Sequence, residues 1–313
     1  MQAYKKAANF DKNNPTVVTI GTFDGVHIGH RKIISRLLEV GKNENLEPTI
    51  LTFFPHPRMV LQKGSGIELI NTIEERKMIL EKTGIVNLVV QRFTKEFSRL
   101  SARDFVQTIL AEKLHAKKIV IGYDHRFGRN RTANIEDLKK FGEEFGFEVE
   151  EISKQDVEEV AVSSTKIRKA LKNGEIEKAN TYLSHPFMLT GTIVKGKNLG
   201  KKLGFPTANL HIEESYKIVP KNGVYVVKSI IDGKEFFGMM NIGVNPTISE
   251  ENLQSIEIHF FGLEKNLYGK TLQIDLLSRI RDEEKFESFE ALSEAMENDK
   301  KVSLRYIERF AKN

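Results

Sequence analysis

The sequence contains no cysteine and no tryptophan among its 313 residues. The absence of cysteine excludes a disulfide framework, a thiolate nucleophile and a thiolate metal site. Long apolar runs are also missing, since no stretch approaches the roughly 18 to 20 residues that a membrane-spanning helix needs. The first segment, MQAYKKAANFDKNN, has no apolar stretch resembling a signal peptide. We therefore expect a cytoplasmic protein with no membrane partner.

The chain has little net charge for its size, because 48 basic residues are nearly balanced by 43 acidic ones, giving +5. Lysine and glutamate are mixed along helical stretches such as 135–151, as is typical of solvated surfaces. The small basic excess fits phosphate-rich small substrates, so nucleic acid is not an expected partner. A prior of about 150 residues per domain predicts two domains.

The first half of the sequence alternates short β-rich runs with amphipathic helical patterns from Thr16 to about Tyr182. Helices are expected from about His30 and from Thr72. Such alternation predicts parallel strands joined by helical crossovers, hence a doubly wound α/β domain of the Rossmann-like kind. Ligands of these domains bind beyond the carboxyl ends of the strands, where the motifs described below fall.

The character of the chain changes after Ser184-His185-Pro186, where strand-like runs follow one another without intervening helices. This pattern predicts an antiparallel β-barrel or sandwich, with a hairpin turn at Asp232-Gly233. We predict domains over 1–184 and 185–313, and a C-terminal helix over 288–310. Four side chains of that helix are expected to pack against the barrel: Phe289, Leu292, Met296 and Tyr306.

The sharpest motif is GTFDGVHIGH at 21–30, which follows the first strand and leads into a helix. Glycines let a backbone approach a phosphate, and a helix N-terminus offers N–H groups and positive potential to it. His27 and His30 would add donors as charge develops on a leaving group. The alternatives are a structural turn with two solvated histidines, or a zinc site with His56 as third ligand. The residues expected to bind phosphate here are Gly21, Thr22, Phe23, Asp24 and Gly29.

Two later segments add polar groups to this half of the chain. Ser164 and Thr165 precede an apparent helix over 166–172. Their hydroxyls, the helix N-terminus and Arg168 could converge on ATP phosphates, or the hydroxyls could be an ordinary cap. Asp124 ends a buried-looking strand, where it could bind a nucleotide or form a turn.

The second half carries a glycine-rich, lysine-bearing loop between strands, GTIVKG at 191–196 and GKKLGFPTAN at 200–209. Such a loop can fold over ATP phosphates, and a hard oxygen from Thr207 or Asn209 suits Mg²⁺. Its spacing is not that of a Walker motif, and the alternative is a mobile basic loop. The loop residues expected to bind phosphate are Gly196, Lys201, Gly204 and Pro206.

Taken together, these motifs resemble the HxGH nucleotidyltransferases and, over nearly the whole chain, the bacterial bifunctional riboflavin kinase/FAD synthetase family. The resemblance includes segments outside the glycine loops: FFPHP at 53–57, GYDHRFGR at 122–129, VSSTKIR at 162–168, NIGVNPT at 241–247 and YGK at 268–270. It implies that the first domain transfers AMP from ATP to FMN, and that the barrel domain phosphorylates riboflavin.

The resemblance also implies residue roles. Glu257, on an alternating stretch that could equally be a half-exposed strand, becomes the general base toward the ribityl 5′-hydroxyl of riboflavin. His27 and His30 become catalytic, and His56 and Arg126 become flavin-binding residues, although a loop histidine beside two prolines could be structural. The implied cofactor is Mg²⁺, with ATP as co-substrate and no tightly bound prosthetic group. The implied small-molecule partners are riboflavin, FMN, FAD, ATP, ADP and pyrophosphate.

Some positions depart from the family pattern or admit a second interpretation. The family commonly has an aromatic residue where His125 stands and a glycine near Ala133, which puts substrate affinity in question more than reaction type. His259 is interpreted as structural. Arg279 and Arg281 could hold phosphate or flavin, or could pair with acidic residues over 282–284.

Three other functions remain open at the level of sequence. One half could be active while the other serves as a flavin-binding regulatory module. The chain could instead bind nucleotide or RNA without turnover, or transfer a nucleotide to another acceptor, such as a phosphorylated sugar alcohol or pantetheine. Oligomeric state is not assigned.

Overall fold

The computed structural model describes most of the chain, which forms two compact units, Met1–Ser164 and Thr165–Asn313. The described residues are 1–10, 13–62, 64, 66–123, 125–153, 162–196, 200, 204–244 and 254–310.

The first unit is built on a six-stranded parallel sheet with the order β1-β4-β3-β2-β5-β6. Its strands are β1 Gln2–Tyr4, β2 Thr16–Ile20, β3 Glu47–Phe54, β4 Asn87–Arg92, β5 Ala116–Gly122 and β6 Glu148–Ile152. All five residues of β2 are buried, as expected for the centre of a sheet covered on both faces. The predicted doubly wound α/β architecture is confirmed.

Helices join these strands, and their ends follow sequence signals. They are α1 Ile28–Glu44, α2 Pro57–Leu61, α3 Ile73–Glu81, α4 Ala102–Phe105, which continues as π-helix over Val106–Ala111, and α5 Ile135–Phe145. Short 3₁₀ turns occupy Ala7–Asn9, Phe97–Arg99 and Arg129–Arg131. A capping box of Thr72 and Glu75 starts α3, because each side chain satisfies the other residue's backbone N–H.

The order of the strands places the loops that carry chemistry. From β2 the chain moves through β3 and β4 toward one edge, and it then returns so that β5 pairs with β2 on the other side. A reversal of this kind opens a crevice beyond the carboxyl ends of the two central strands. The loops after β2 and after β5 therefore border the same crevice.

The second unit begins at Thr165, within helix α6 Ser164–Asn173, and continues through α7 Ile176–Leu183 into a closed antiparallel barrel with the order β10-β11-β8-β7-β12-β9. The barrel strands are β7 Phe187–Val194, β8 Ala208–His211, β9 Gly223–Ile231, β10 Lys234–Val244, β11 Gln254–Phe260 and β12 Thr271–Arg281. The last helix is α8 Phe289–Phe310. Closure joins every strand to two neighbours and confirms the predicted barrel.

Local details of the barrel follow the sequence. Asp232 and Gly233 have φ values of 49° and 78°, which matches a hairpin turn with both central residues left-handed. On β11 the side chains of Ile256, Ile258 and Phe260 are buried and the residues between them are half-buried. The predicted alternation along this strand is therefore confirmed.

The C-terminal helix corrects one prediction. Leu292, Met296 and Tyr306 are partly buried, but Phe289 is 59% exposed because it stands at the first helical position, beyond the helix's packed face. The helix is attached instead through Asp299, whose carboxylate accepts two hydrogen bonds from Arg281 at 2.9 and 2.7 Å.

Among the described residues, no helix combines the length and the apolar character needed to cross a membrane.

Candidate functional site

The loop after β2 has an unusual backbone. Phe23, Gly25 and Val26 have φ values of 49°, 89° and 41°, and two of the three are not glycine. Left-handed backbone at such residues costs on the order of 1–3 kcal/mol and persists where the surroundings hold it, often at ligand sites. The loop leads directly into α1, which begins at Ile28, earlier than predicted, with His27 as its N-cap residue.

Asp24 anchors this loop through its side chain. Its buried carboxylate accepts backbone hydrogen bonds from Ile70 at 3.1 Å and Asn71 at 3.2 Å, and faces the Arg76 guanidinium at 3.7 Å. Asp24 was predicted to bind phosphate, but its carboxylate is committed to these protein partners. Any contact of Asp24 with a nucleotide would therefore be made by its backbone.

Among the residues that the structure describes, Arg76 is the largest fully buried side chain, and sequence reasoning missed it. Besides Asp24, its guanidinium approaches the Thr52 hydroxyl at 3.5 Å. Thr52 in turn donates to the carbonyl of Thr22 at 3.1 Å. One buried cation therefore supports the loop after β2 at two points.

The two histidines of the motif stack on each other. The ring centroids of His27 and His30 are 3.7 Å apart, and the ring planes are inclined by 18°. Burial, and then the neighbouring charges of His27 and Arg76, hold the pKa of His30 well below its ordinary value. His30 is therefore neutral near pH 7, so it can supply one N–H donor to a developing negative charge. A Cβ on Gly29 would lie 3.2 Å from the His27 ring, so the glycine leaves room for the pair.

The zinc alternative finds no support in this arrangement. Within the described part of the chain, no three histidine, aspartate or glutamate side chains gather as a metal cluster. His56 instead caps α2, where its Nδ1 accepts the backbone N–H of Arg58 at 3.2 Å. A structural role for His56, one of the two possibilities in the sequence, thus has a specific partner.

Ser164 joins the same loop from a distant part of the chain. Its hydroxyl donates to the carbonyl of Asp24 at 2.9 Å. Ser164 therefore lies against the glycine motif, and its contact with ATP phosphates stays a prediction. The helix that follows begins at Ser164, two residues before the predicted start, and carries exposed Thr165 and half-buried Arg168 in its first turns.

The loop after β5 is described only in part. Asp124 lies outside the described residues. His125 is half-buried and its ring lies nearly parallel to that of Phe127 at 6.1 Å, while Arg126 is exposed. The position at which His125 departs from the family pattern thus lies beside the ring of Phe127.

A second group of polar residues lies on the outer face of the barrel. Glu257 on β11 pairs directly with Asn209 on β8 and with Asn241 on β10. Directly opposed residues of antiparallel strands share a face, so the three form one polar row. Thr207 joins the row by donating its hydroxyl to Glu257 Oε2 at 3.1 Å. Asn245-Pro246-Thr247 of the motif that includes Asn241, and Lys201 of the glycine loop, lie outside the described residues.

Close contacts and one left-handed backbone position explain why the barrel loop is rich in glycine. A Cβ on Gly196 would lie 2.0 Å from Asn209 Nδ2, and one on Gly200 would lie 2.3 Å from the carbonyl oxygen of Phe205. Gly204 has a φ of 81°, which favours glycine. Gly196 therefore packs closely against Asn209, and Gly200 against Phe205 and Thr207. The carbonyl of Pro206 accepts a hydrogen bond from His259 at 2.9 Å.

Arg279 and Arg281 belong to ion pairs in this structure. Arg279 donates to Asp282 at 2.6 Å and to the carbonyl of Asn222 at 2.8 Å, and Arg281 holds Asp299. The acidic segment after β12 thus supplies the partner of Arg279, which agrees with the interpretation that this arginine pairs with acidic residues over 282–284.

The two sites differ in the chemistry they offer. The first presents a strained loop, a helix N-terminus and a stacked histidine pair, which suits a phosphate chain whose leaving group gains charge. The second presents a carboxylate beside a hydroxyl and two amides. Such a set suits a hydroxyl substrate and a hard cation bound together with phosphates.

Comparisons with known proteins follow the same division. The chain matches the family model described as FAD synthetase over residues 9–166, and the one described as riboflavin kinase over residues 183–307.

Curated relatives match almost end to end. A protein of Buchnera aphidicola subsp. Schizaphis graminum named bifunctional riboflavin kinase/FMN adenylyltransferase is 36% identical over 298 residues, covering 94% of this chain and 95% of that protein. The protein of the same name from Listeria monocytogenes is 35% identical over 295 residues, covering 94% of this chain and 93% of its own.

Among solved structures, a protein of Streptococcus pneumoniae named as a macrolide-efflux protein matches with a TM-score of 0.86 and 29% identity, covering 96% of this chain and 98% of that one. Its name speaks of efflux, whereas both family models and the curated relatives speak of flavin enzymes. The likeness supports the fold, and efflux is named for that protein alone.

Proposed function

The chain belongs to the bifunctional riboflavin kinase/FMN adenylyltransferase family, and we propose a division of labour among its residues for the two reactions of that family. Riboflavin and ATP give FMN and ADP, and FMN and a second ATP then give FAD and pyrophosphate. In this assignment the glycine and histidine loop of the first unit carries adenylyl transfer, and the polar row of the barrel carries phosphorylation.

In adenylyl transfer, the backbone of residues 21–25 and the N-terminus of α1 hold the triphosphate of ATP. An FMN phosphate oxygen attacks the α-phosphorus, and the bond to the departing pyrophosphate breaks. His27 and His30 donate hydrogen bonds to that leaving group as its charge grows. Ser164, Thr165 and Arg168 are proposed to contact the same phosphates, and Asp124, His56 and Arg126 to lie toward nucleotide and flavin.

In phosphorylation, Glu257 is proposed to orient the ribityl 5′-hydroxyl and to accept its proton. The oxygen then attacks the γ-phosphorus of ATP, and ADP leaves. A carboxylate suits this role because proton removal is late in a loose transition state. The loop with Gly196, Lys201, Gly204 and Pro206 is proposed to cover the phosphates.

The donor set of the barrel fits a magnesium ion. The Thr207 hydroxyl and the Asn209 amide oxygen are hard ligands, and Mg²⁺ commonly takes only one or two protein groups along with phosphate oxygens. A cluster of three carboxylates is not needed for such a site. When bound, Mg²⁺ would neutralise charge on the β- and γ-phosphates, while Thr207 and Asn209 hold it beside Glu257.

Two further assignments complete the proposal. We place the boundary between the two family domains at 184/185, supported by the start of the riboflavin kinase match at residue 183, whereas the compact units divide earlier, after Ser164. We also propose that the enzyme works in the cytoplasm, with ATP and flavins as its small-molecule partners and no resident prosthetic group.

The observation that carries the proposal is the contact of Thr207 with Glu257 at 3.1 Å, since it joins the proposed metal ligand to the proposed base. The test is to incubate the protein with riboflavin, ATP and Mg²⁺ and to separate the flavins over time. FMN should rise first and then give way to FAD. Glu257→Gln should stop FMN formation yet still convert added FMN to FAD, and His30→Ala should do the reverse.

Each alternative gives a different result in the same experiment. FMN without FAD would leave the first unit with another acceptor or a regulatory role. No conversion at all, together with salt-dependent RNA binding, would favour the binding protein. Loss of both activities in either folded variant would contradict the assignment of separate sites.

A further inference from the structure

His259 stands next to the polar row of the barrel but has no part in the proposed chemistry. Building on the proposed kinase function, we infer that His259 is a positioning residue: it holds the Pro206-Thr207 peptide against Glu257 and thereby sets Thr207 for the metal and phosphates of ATP.

The first support is a directed hydrogen bond. His259 Nδ1 lies 2.9 Å from the carbonyl oxygen of Pro206. A carbonyl oxygen only accepts, so the proton of this bond belongs to Nδ1. Burial lowers the pKa of His259, against the opposing effect of the Pro206 bond and with a further lowering by Lys300. Near pH 7 the ring is thus neutral, with its one N–H committed to Pro206.

The second support is the register of the strand. Glu257 and His259 are two residues apart on β11 and lie on the same outer face, between the buried side chains of that strand. Glu257 accepts the hydroxyl of Thr207, and His259 donates to the carbonyl one residue earlier. Two side chains of one rigid strand therefore hold two adjacent residues of the loop.

The third support is that the ring of His259 is itself fixed. It meets the buried ring of Phe205 edge to face, with centroids 5.2 Å apart, and that of Phe261 at 5.7 Å. Lys300 Nζ of α8 lies 5.8 Å from the centroid of the Phe205 ring. Packing thus limits the rotation of the imidazole and aims Nδ1 at the loop.

The test uses the different reach of two amide side chains. Asparagine places its N–H₂ near the position of Nδ1, whereas glutamine places it near that of Nε2. We expect H259Q to raise the KM for MgATP in FMN formation by about 5- to 10-fold, the effect of one lost hydrogen bond, with the KM for riboflavin unchanged. H259N should stay within about twofold of the wild type.

Conversion of added FMN to FAD by the same preparations serves as the internal control. It should be equal in wild type, H259N and H259Q. T207A gives the benchmark for loss of the ligand itself and should raise the KM for MgATP at least as much as H259Q.

The outcomes separate the inference from the function on which it rests. Equal KM values for H259Q and wild type, or an equal rise in H259N and H259Q, would overturn the positioning role while T207A still impairs the kinase. A kinase unaffected by T207A would overturn both. If H259Q folds poorly, the ¹⁵N shifts of the His259 ring in the wild type decide: a proton on Nδ1 supports the inference, and a proton on Nε2 overturns it.

Discussion

Gly196 and Asn209 share a space that admits no methyl group, because a Cβ on the glycine would lie 2.0 Å from Nδ2 and 2.5 Å from Cγ of the asparagine. The Asn209 side chain is therefore held in place by the absence of a side chain at position 196. This dependence gives the first prediction.

Gly196→Ala should lower the rate of FMN formation by at least tenfold, because the new methyl group must displace the Asn209 amide; tenfold corresponds to about 1.4 kcal/mol of activation free energy. FAD synthesis from added FMN should be unchanged. The measurement is the initial rate of each reaction in one preparation.

A second glycine of the barrel provides the control. Gly262→Ala strains a backbone with φ of 68° but places its methyl group where no atom lies within 4 Å. It should reduce stability and leave the kinase rate of the folded protein intact. If both variants lose the kinase equally, general destabilisation explains the effect and the contact with Asn209 does not.

The second prediction concerns the loss of stability of the first unit at low pH. His30 has a folded-state pKa well below its unfolded value of about 6.5, so the unfolded chain binds the proton more readily. Its contribution to stability is thus fully present above about pH 6.5 and is lost as the pH falls toward the lower, folded pKa. We expect the first unit to unfold at lower temperature as the pH drops from 7.5 to 5.5.

His30→Asn isolates this effect. Because His30 is neutral at pH 7.5 in both states, the variant's change in stability there reports packing alone. The fall in unfolding temperature between pH 7.5 and 5.5 should then be smaller in the variant than in the wild type. An identical fall in both proteins would show that His30 is not the group that titrates.

The third prediction concerns the buried ion pair between Arg76 and Asp24 at the loop after β2. Arg76→Leu leaves the Asp24 carboxylate buried without its cation, and breaking such a pair typically costs about 3–5 kcal/mol. FAD synthesis from FMN should be lost at lower temperature, while FMN formation by the barrel persists. The measurement is residual activity of each kind after heating.

The neighbouring residue is the matched control for Arg76. Lys77 pairs with Glu74 at 2.7 Å at the protein surface, with Glu74 66% exposed, and such pairs contribute about 0–1 kcal/mol. Lys77→Leu should therefore change heat resistance little. Equal behaviour of the two leucine variants would mean that the Arg76–Asp24 pair does not support the loop.

The fourth prediction concerns the attachment of α8. Asp299→Asn replaces a charged acceptor of two Arg281 hydrogen bonds with an amide, and hydrogen bonds to charged groups contribute about 1.5–3 kcal/mol each. The amide hydrogens of α8 should exchange faster with solvent. Glu297→Gln, on the same helix but 3.9 Å from its partner Lys300, should leave that exchange unchanged; faster exchange in both variants would contradict the specific role of Asp299.

The elements with strong local signals were the ones that the sequence predicted well. Alternation along β11, the turn at Asp232-Gly233 and the start of a helix at Thr72 each depend on neighbours in the chain, so the pattern is visible in the sequence alone. The glycine motif likewise predicted a loop between strand and helix. The helix after this loop starts at Ile28 instead of the expected His30, because His27 is itself the N-cap residue.

Features that depend on distant partners could not be found in this way. Arg76 lies in a stretch of mixed charge that looks like a solvated helix face, and its burial depends on Asp24, which is far away in the chain. The bond between His259 and Pro206 likewise requires the barrel to close before the two meet. Phe289 has the spacing of a packing residue, but its position at the start of α8 leaves it exposed.

The short strand β1 has a practical consequence for handling the protein. Gln2, Ala3 and Tyr4 pair with β4 at the edge of the parallel sheet, and Ala7 donates to the side chain of Gln91 at 3.0 Å. Without these residues, β4 would present a row of open hydrogen-bonding groups, which invites edge-to-edge association. Expression tags are therefore better placed at the other end of the chain, and variants truncated before Phe10 should be checked for aggregation before any loss of activity is attributed to the proposed sites.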